Sequence, residues 1–133
     1  MISYLSLGSN LGNKEENLRK ALSMIGERAG QVLATSSFIE TQPWGFVSDN
    51  AFVNACVKID TMLAPQQLLR ETQGIEKALG RTHKSVDGKY CDRIIDIDIL
   101  LYGDISVDDD NLKIPHPHMH ERDFVMVPLR EIM

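Results

Sequence analysis

Between Arg93 and Tyr102 the chain reads Arg-Ile-Ile-Asp-Ile-Asp-Ile-Leu-Leu-Tyr, an apolar run broken by two alternating aspartates. Strand side chains alternate between faces, so Asp96 and Asp98 project from one face, about 6.5 Å apart at Cα, and Ile95, Ile97 and Ile99 from the other. Such a segment fits a sheet buried on one face and open to something polar on the other. Two like charges side by side on a half-buried sheet repel unless a cation or a positive side chain sits between them. Mg²⁺ prefers oxygen ligands and is commonly held by one or two carboxylates, with water and substrate phosphates completing its shell. The pair therefore points to metal-assisted phosphate chemistry. It points equally to an edge strand with one solvated face, because Asp is depleted in strands but tolerated at edges.

A chain of 133 residues suits a single domain over 1–133, with a core that needs no disulfide or metal staple. A formal charge of −5 argues against a nucleic-acid surface, which normally shows a net basic face. One region runs against that total: Arg81, His83, Lys84, Lys89 and Arg93 face only Asp87 and Asp92. A small polyanionic ligand fits this better than a polymer, and a solvated loop is the commoner meaning of such a cluster. Cys56 and Cys91 lack CxxC spacing, which reads as free thiols in a reducing compartment. The N-terminus has no basic n-region and meets Gly8-Ser-Asn10 too early for a signal peptide, and no apolar run approaches transmembrane length. The expectation is a soluble cytoplasmic monomer with no membrane partner.

Periodicity supplies the elements. Residues 2–7 alternate as a first strand and lead into the loop Gly8-Ser-Asn-Leu-Gly-Asn13. Leu18, Ala21, Leu22 and Ile25 form one helical stripe that stops before Gly30. Residues 31–39 are strand-like, and Glu40 to Asn50 form a long loop rich in turn residues, where Trp44 beside Gly45 either joins a lid over a flat ligand or tucks into the core edge. Residues 52–60 alternate again, with Val53, Ala55, Val57 and Ile59 on the core face and Phe52, Asn54, Cys56 and Lys58 on the other. Ala64-Pro65 opens a second helix through Leu68, Leu69, Thr72, Ile75 and Leu79, with Gly80 as its cap. After the basic loop and the aspartate strand, Gly103-Asp104 turns into a short strand at 105–107, an acidic turn at 108–111 and a strand at 112–114. Two prolines keep 114–120 from being regular helix, and a last helix is expected over 123–132. The order β-α-β-β-α-β-β-β-α indicates an α+β domain with helices on a largely antiparallel sheet.

Five separated motifs occur in sequence: Gly8-Ser-Asn-Leu11, Phe52-Val-Asn-Ala55, Glu76 with Gly80-Arg81, Arg93-x-x-Asp96-Ile-Asp98-Ile-Leu, and Ile114-Pro-His116 followed by Arg122-x-Phe124. Together they closely resemble the 6-hydroxymethyl-7,8-dihydropterin pyrophosphokinases of folate biosynthesis. The resemblance implies a ferredoxin-like α+β fold and transfer of diphosphate from ATP to the pterin hydroxymethyl group, with release of AMP. It implies two Mg²⁺ ions on Asp96 and Asp98, and Arg81 and Arg93 on the phosphates. His83, Lys84, His116 and Arg122 would add to ATP binding, with Gln73 and Glu76 on the nucleoside side. The pterin would lie between Phe52 and Phe124, its polar edge meeting Asn54 and the backbone of Thr41, Gln42, Pro43, Trp44 and Gly45. Two positions depart from the family pattern: Cys91-Asp92 stands before Arg93 where small residues or proline are usual, and His83 replaces what is often Arg.

The chemistry is coherent on its own terms. Phosphoryl transfer needs positioning and charge neutralisation more than covalent catalysis, and metals with Arg forks supply both. An aromatic pair stacks a flat heterocycle, and an Asn matches its donor and acceptor edge. Two other readings stand beside this one. His116, His118 and His120 have the spacing to suggest a transition-metal hydrolase, and small α+β domains also serve as non-catalytic ligand-binding regulators.

Overall fold

The computed structural model describes residues 1–41, 51–80 and 94–133, with Thr41 described for its backbone alone. In chain order the elements are β1 (Ile2–Ser9), α1 (Lys14–Arg28), β2 (Gln31–Thr35), β3 (Ile39–Thr41), β4 (Phe52–Asp60), α2 (Pro65–Ala78), β5 (Asp96–Tyr102), β6 (Val107–Asp109), β7 (Leu112–Ile114), a 3₁₀ turn at Met119–Glu121 and α3 (Asp123–Ile132). The main sheet runs β2-β4-β1-β5, with β3 also on β4, and every pairing is antiparallel. Taking β2 and β3 as one interrupted strand, this is β-α-β-β-α-β with the last strand at one edge, the ferredoxin-like arrangement expected.

Local chemistry sets the helix ends. Asn13 caps α1, its Oδ1 accepting the Glu16 N–H at 3.2 Å, as short polar side chains do at an N-terminus. Pro65 occupies the first turn of α2, where its missing N–H costs nothing, and Gln67 Oε1 accepts the Ala64 N–H at 2.9 Å. Beyond the Leu79 cap, Gly80 takes φ +107°, a left-handed conformation that favours glycine.

Both faces of the sheet are covered, which the alternation alone did not indicate. On the first face, Leu5, Leu7, Ala55, Val57, Ile59, Ile97 and Ile99 meet Leu18, Ala21 and Ile25 of α1 and Leu68 and Ile75 of α2. On the second, Cys56 and Leu100 meet Met119, Val125 and Leu129, with Tyr4 and Phe124 against them. The face of β4 opposite the expected core face is therefore largely buried, because α3 lies on it. Burial pushes the Cys56 thiol up to about 12.

Two expected strands differ. The run 31–39 is not one strand: β2 stops at Thr35, and β3 begins at Ile39 and takes in Glu40 and Thr41, which were expected to open the loop. Ser36 keeps its N–H on the Cys56 carbonyl at 2.9 Å, and the side chains of Ser36 and Ser37 bond to distant groups. Ser36 Oγ accepts the Cys56 N–H at 2.8 Å, and Glu131 Oε1 on α3 accepts the Ser37 N–H at 2.9 Å and hydroxyl at 2.8 Å. The strand placed at 105–107 lies at 107–109 instead, pairing Asp109 with Leu112 across Asp110-Asn111. Lys113 pairs with Asp108, and Gln66 on α2 donates to Asp109 at 2.8 Å and Asn111 at 3.0 Å, so these residues have partners that suit a hairpin.

Candidate active site

The register places the candidate residues in rows across β4, β1 and the edge strand β5. Asn54 on β4 stands opposite Gly8 on β1, and Gly8 opposite Asp96 on β5. One step along on the same face, Cys56 stands opposite Ser6 and Ser6 opposite Asp98. Asp96 and Asp98 are partly exposed while the intervening Ile97 is buried, so the two carboxylates share the second face as the spacing predicts.

Gly8 was expected to begin a loop, but β1 continues through it to Ser9. A Cβ at Gly8 would sit 2.8 Å from Asn54 Oδ1 and 3.5 Å from Phe52 Cδ1. The glycine thus lets the Asn54 amide and the Phe52 ring approach the β1 backbone closely, at the centre of a row that ends at Asp96. Asn54 is buried and Phe52 partly so. The sequence places Gly8 at the start of a loop and within a motif, with no role for its small size. The usable signal was a glycine within strand alternation, which often marks a close approach.

The segment after β7 brings a second wall. The His116 N–H donates to the Leu100 carbonyl at 3.0 Å, which lays His116 along the outer edge of β5. Burial, then the Arg122 and His118 charges, hold its imidazole below the ordinary histidine value, while Asp96 pulls the other way. Arg122, immediately before α3, is buried, and its guanidinium carbon lies 5.7 Å from the Phe124 ring centroid, within cation–π range. Asn54, Phe52, Asp96, Asp98, His116, Arg122 and Phe124 are therefore gathered on one face. Glu76 is elsewhere in character: it is buried on α2 and its Oε2 accepts the Ile97 N–H at 2.8 Å. Gln73, three residues earlier, is exposed. Thr41 ends β3 opposite Phe52. Gln42, Pro43, Trp44, Gly45, Arg81, His83, Lys84, Arg93 and the Cys91-Asp92 pair lie outside the described residues.

The donor set discriminates between metals. Among the described residues no three His, Cys, Asp or Glu side chains cluster as a protein-held metal would need. His118 instead faces Glu121 at 3.2 Å, and its ring centroid is 6.3 Å from that of His116. Zinc hydrolases use three protein ligands, so the three-histidine reading has no site among these residues. Two carboxylates on one open face suit a hard cation whose remaining ligands are water and phosphate oxygens. No helix among the described residues is long and apolar enough to cross a membrane.

A carboxylate pair on an edge strand, in register with a buried amide and flanked by aromatics, defines a small-molecule site on an α+β sheet, of the kind used by phosphate-transferring enzymes. Residues 4–133 match the family model described as 7,8-dihydro-6-hydroxymethylpterin-pyrophosphokinase. A 2-amino-4-hydroxy-6-hydroxymethyldihydropteridine pyrophosphokinase of Porphyromonas gingivalis is 51% identical over 132 residues, 98% of this chain and 90% of the relative. One of the same name from Bacillus subtilis is 42% identical over 98% of this chain and 77% of the relative. Among solved structures, a Plasmodium falciparum HPPK-DHPS superposes with TM-score 0.78 at 18% identity, covering 98% of this chain. This chain spans 39% of that longer one, and the likeness speaks for the fold alone. The chain belongs to the 7,8-dihydro-6-hydroxymethylpterin-pyrophosphokinase family. It is an enzyme, a pyrophosphokinase of folate biosynthesis.

Proposed function

We propose that this chain transfers diphosphate from ATP to the hydroxymethyl group of 6-hydroxymethyl-7,8-dihydropterin at the second face of its sheet, releasing AMP, in the cytoplasm and as a monomer. The single observation that carries the siting is the row Asn54–Gly8–Asp96, which sets a buried amide beside Phe52 in register with the carboxylate pair. The pterin would lie over Gly8 with Phe52 and Phe124 at its faces and Asn54 at its amide-like edge, where one side chain serves both a donor and an acceptor. Its hydroxymethyl group would then point along the row toward Asp96.

Asp96 and Asp98 would hold the Mg²⁺ ions. When bound, these ions supply neutralisation of the triphosphate and polarise the oxygens around the transferred group. The residues do the rest by placement. Arg122, buried against Phe124, presents fixed positive charge where an anionic chain of phosphates arrives, and a guanidinium matches phosphate geometry in a way an ammonium does not. His116, held by its backbone to Leu100 and kept largely neutral, offers an imidazole hydrogen bond without adding a second full charge. Arg81 and Arg93 would pair with phosphate oxygens, assisted by His83 and Lys84, and the backbone of Thr41, Gln42, Pro43, Trp44 and Gly45 would meet the polar edge of the pterin. The attacking oxygen is the substrate's own hydroxyl, and in-line displacement at the β-phosphorus needs orientation more than a strong general base.

Asp98→Ala tests the siting. HPLC detection of AMP from ATP, with and without the hydroxymethyl dihydropterin, should show a loss of several orders of magnitude while circular dichroism stays native. Turnover near that of the parent enzyme would remove the metal assignment.

A further inference from the structure

Glu76 is among the few buried charged side chains of the described residues, 6% exposed on α2. A buried carboxylate is costly unless it is hydrogen-bonded, and its Oε2 accepts a backbone N–H from β5 at 2.8 Å. That N–H belongs to Ile97, the residue between Asp96 and Asp98. Among the described residues β5 is the last strand of the sheet, with β1 on one side only. In an antiparallel ladder every second residue turns its N–H and C=O away from its partner, so on an edge strand those groups have no neighbouring strand to hold them. At Ile97 a side chain from a packed helix does the holding, and α2 is anchored in turn by Leu68 and Ile75 in the first-face core.

We propose that Glu76 is a positioning residue for the carboxylate pair: by fixing the backbone amide between them it sets the separation and pitch of Asp96 and Asp98. This rests on the reading of the pair as the Mg²⁺ site, and it differs from a nucleoside contact, which would use the same side chain for binding ATP. The relation is that of an outer carboxylate to a metal's ligands, where loss of the supporting bond typically lowers metal affinity by about 10–100-fold. The protein can express that loss without losing its fold, because α2 keeps its apolar face.

Three variants separate the roles: Glu76→Gln, which keeps an acceptor oxygen but not the charge, Glu76→Leu, which keeps neither, and Glu76→Ala as a replacement should the leucine variant not fold. Mn²⁺ is titrated by electron paramagnetic resonance into protein with equimolar α,β-methylene-ATP, and amide hydrogen exchange is followed at Ile97. In Glu76→Leu the Mn²⁺ dissociation constant should rise by about 10–100-fold, the Ile97 amide should lose protection, and the affinity for pterin alone should be unchanged. Glu76→Gln should restore both metal affinity and protection. Fast exchange at Ile97 in the unmodified protein overturns the proposal without any variant. So does unchanged Mn²⁺ affinity in Glu76→Leu, or a Glu76→Gln variant as weak as Glu76→Leu, which would make the charge rather than the hydrogen bond the active feature. A failure of the metal site itself looks different, since Asp98→Ala would then remain active.

Discussion

Replacing Gly8 by alanine adds one methyl group to the middle of the Asn54–Gly8–Asp96 row. The new carbon would lie 2.8 Å from Asn54 Oδ1 and 3.5 Å from Phe52 Cδ1. The Phe52 contact is ordinary packing, whereas the Asn54 contact is too close and the amide must move by several tenths of an ångström. Asn54 is 3% exposed within a paired strand, so its side chain has little room to turn. Overpacking of this kind costs about 1–3 kcal/mol of stability. The functional cost comes from the displaced amide: a buried polar partner left unmatched is worth about 1–3 kcal/mol, and each 1.4 kcal/mol is about tenfold in binding. The KM for the hydroxymethyl dihydropterin should therefore rise by about 10- to 100-fold while the KM for ATP moves little. AMP release measured over both substrate ranges gives the two constants, and thermal unfolding confirms that the variant is folded. An unchanged pterin KM in a folded Gly8→Ala protein would refute the placement of the pterin against Asn54. A rise confined to ATP would assign this row to the nucleotide.

Glu131 ties α3 to the break between β2 and β3, and its hydrogen bonds from Ser37 hold its carboxyl below the ordinary value of 4.5. A depressed folded value means the contribution is complete above 4.5 and is lost as pH falls through the folded value. Urea unfolding of Glu131→Gln should thus show a deficit against the parent at neutral pH that narrows as the medium is acidified below 4.5, and a pH-independent difference would count against the carboxylate as its source. Gly30→Ala addresses the fold alone. Its Cβ would meet the Asp60 carbonyl oxygen at 2.5 Å and the Thr61 Cα at 3.0 Å, backbone atoms that cannot swing aside, so denaturant titration should show a loss of about 1–3 kcal/mol or more; an unshifted midpoint would mean that the α1–β2 connection yields freely.

Much of this molecule is legible from spacing because its elements obey one period each. The stripe Leu18, Ala21, Ile25 and the Pro65 start specify helices without help from tertiary structure, and the alternation of Asp96 and Asp98 with isoleucines specifies which side chains share a face. What the alternation omits is what lies on each face. Cys56 and Asn54 sit on the side opposite the expected core face, yet α3 covers part of it, and nothing within residues 52–60 records a helix seventy positions later. The division of 31–39 likewise coincides with Glu131 reaching Ser37, a contact between distant segments. Gly8 was read as punctuation because glycine usually is, whereas its use here is to be small beside Asn54. The role of Glu76 was hidden for a similar reason: a carboxylate at a helix flank looks solvated until the strand amide it meets is located.

The position of β5 at the rim of the sheet has a consequence for how the protein behaves in company. A strand reading Asp-Ile-Asp-Ile-Leu-Leu-Tyr, rich in β-formers and open along one side, is the kind of segment that templates growth from one molecule to the next. Two contacts blunt it. Glu76 takes up the Ile97 N–H, and the His116 N–H takes up the Leu100 carbonyl, so an arriving strand meets a register in which groups it would need are already engaged. Placing the carboxylates on a rim leaves them partly exposed to an arriving substrate, and these same clasps occupy backbone groups that an added strand would use.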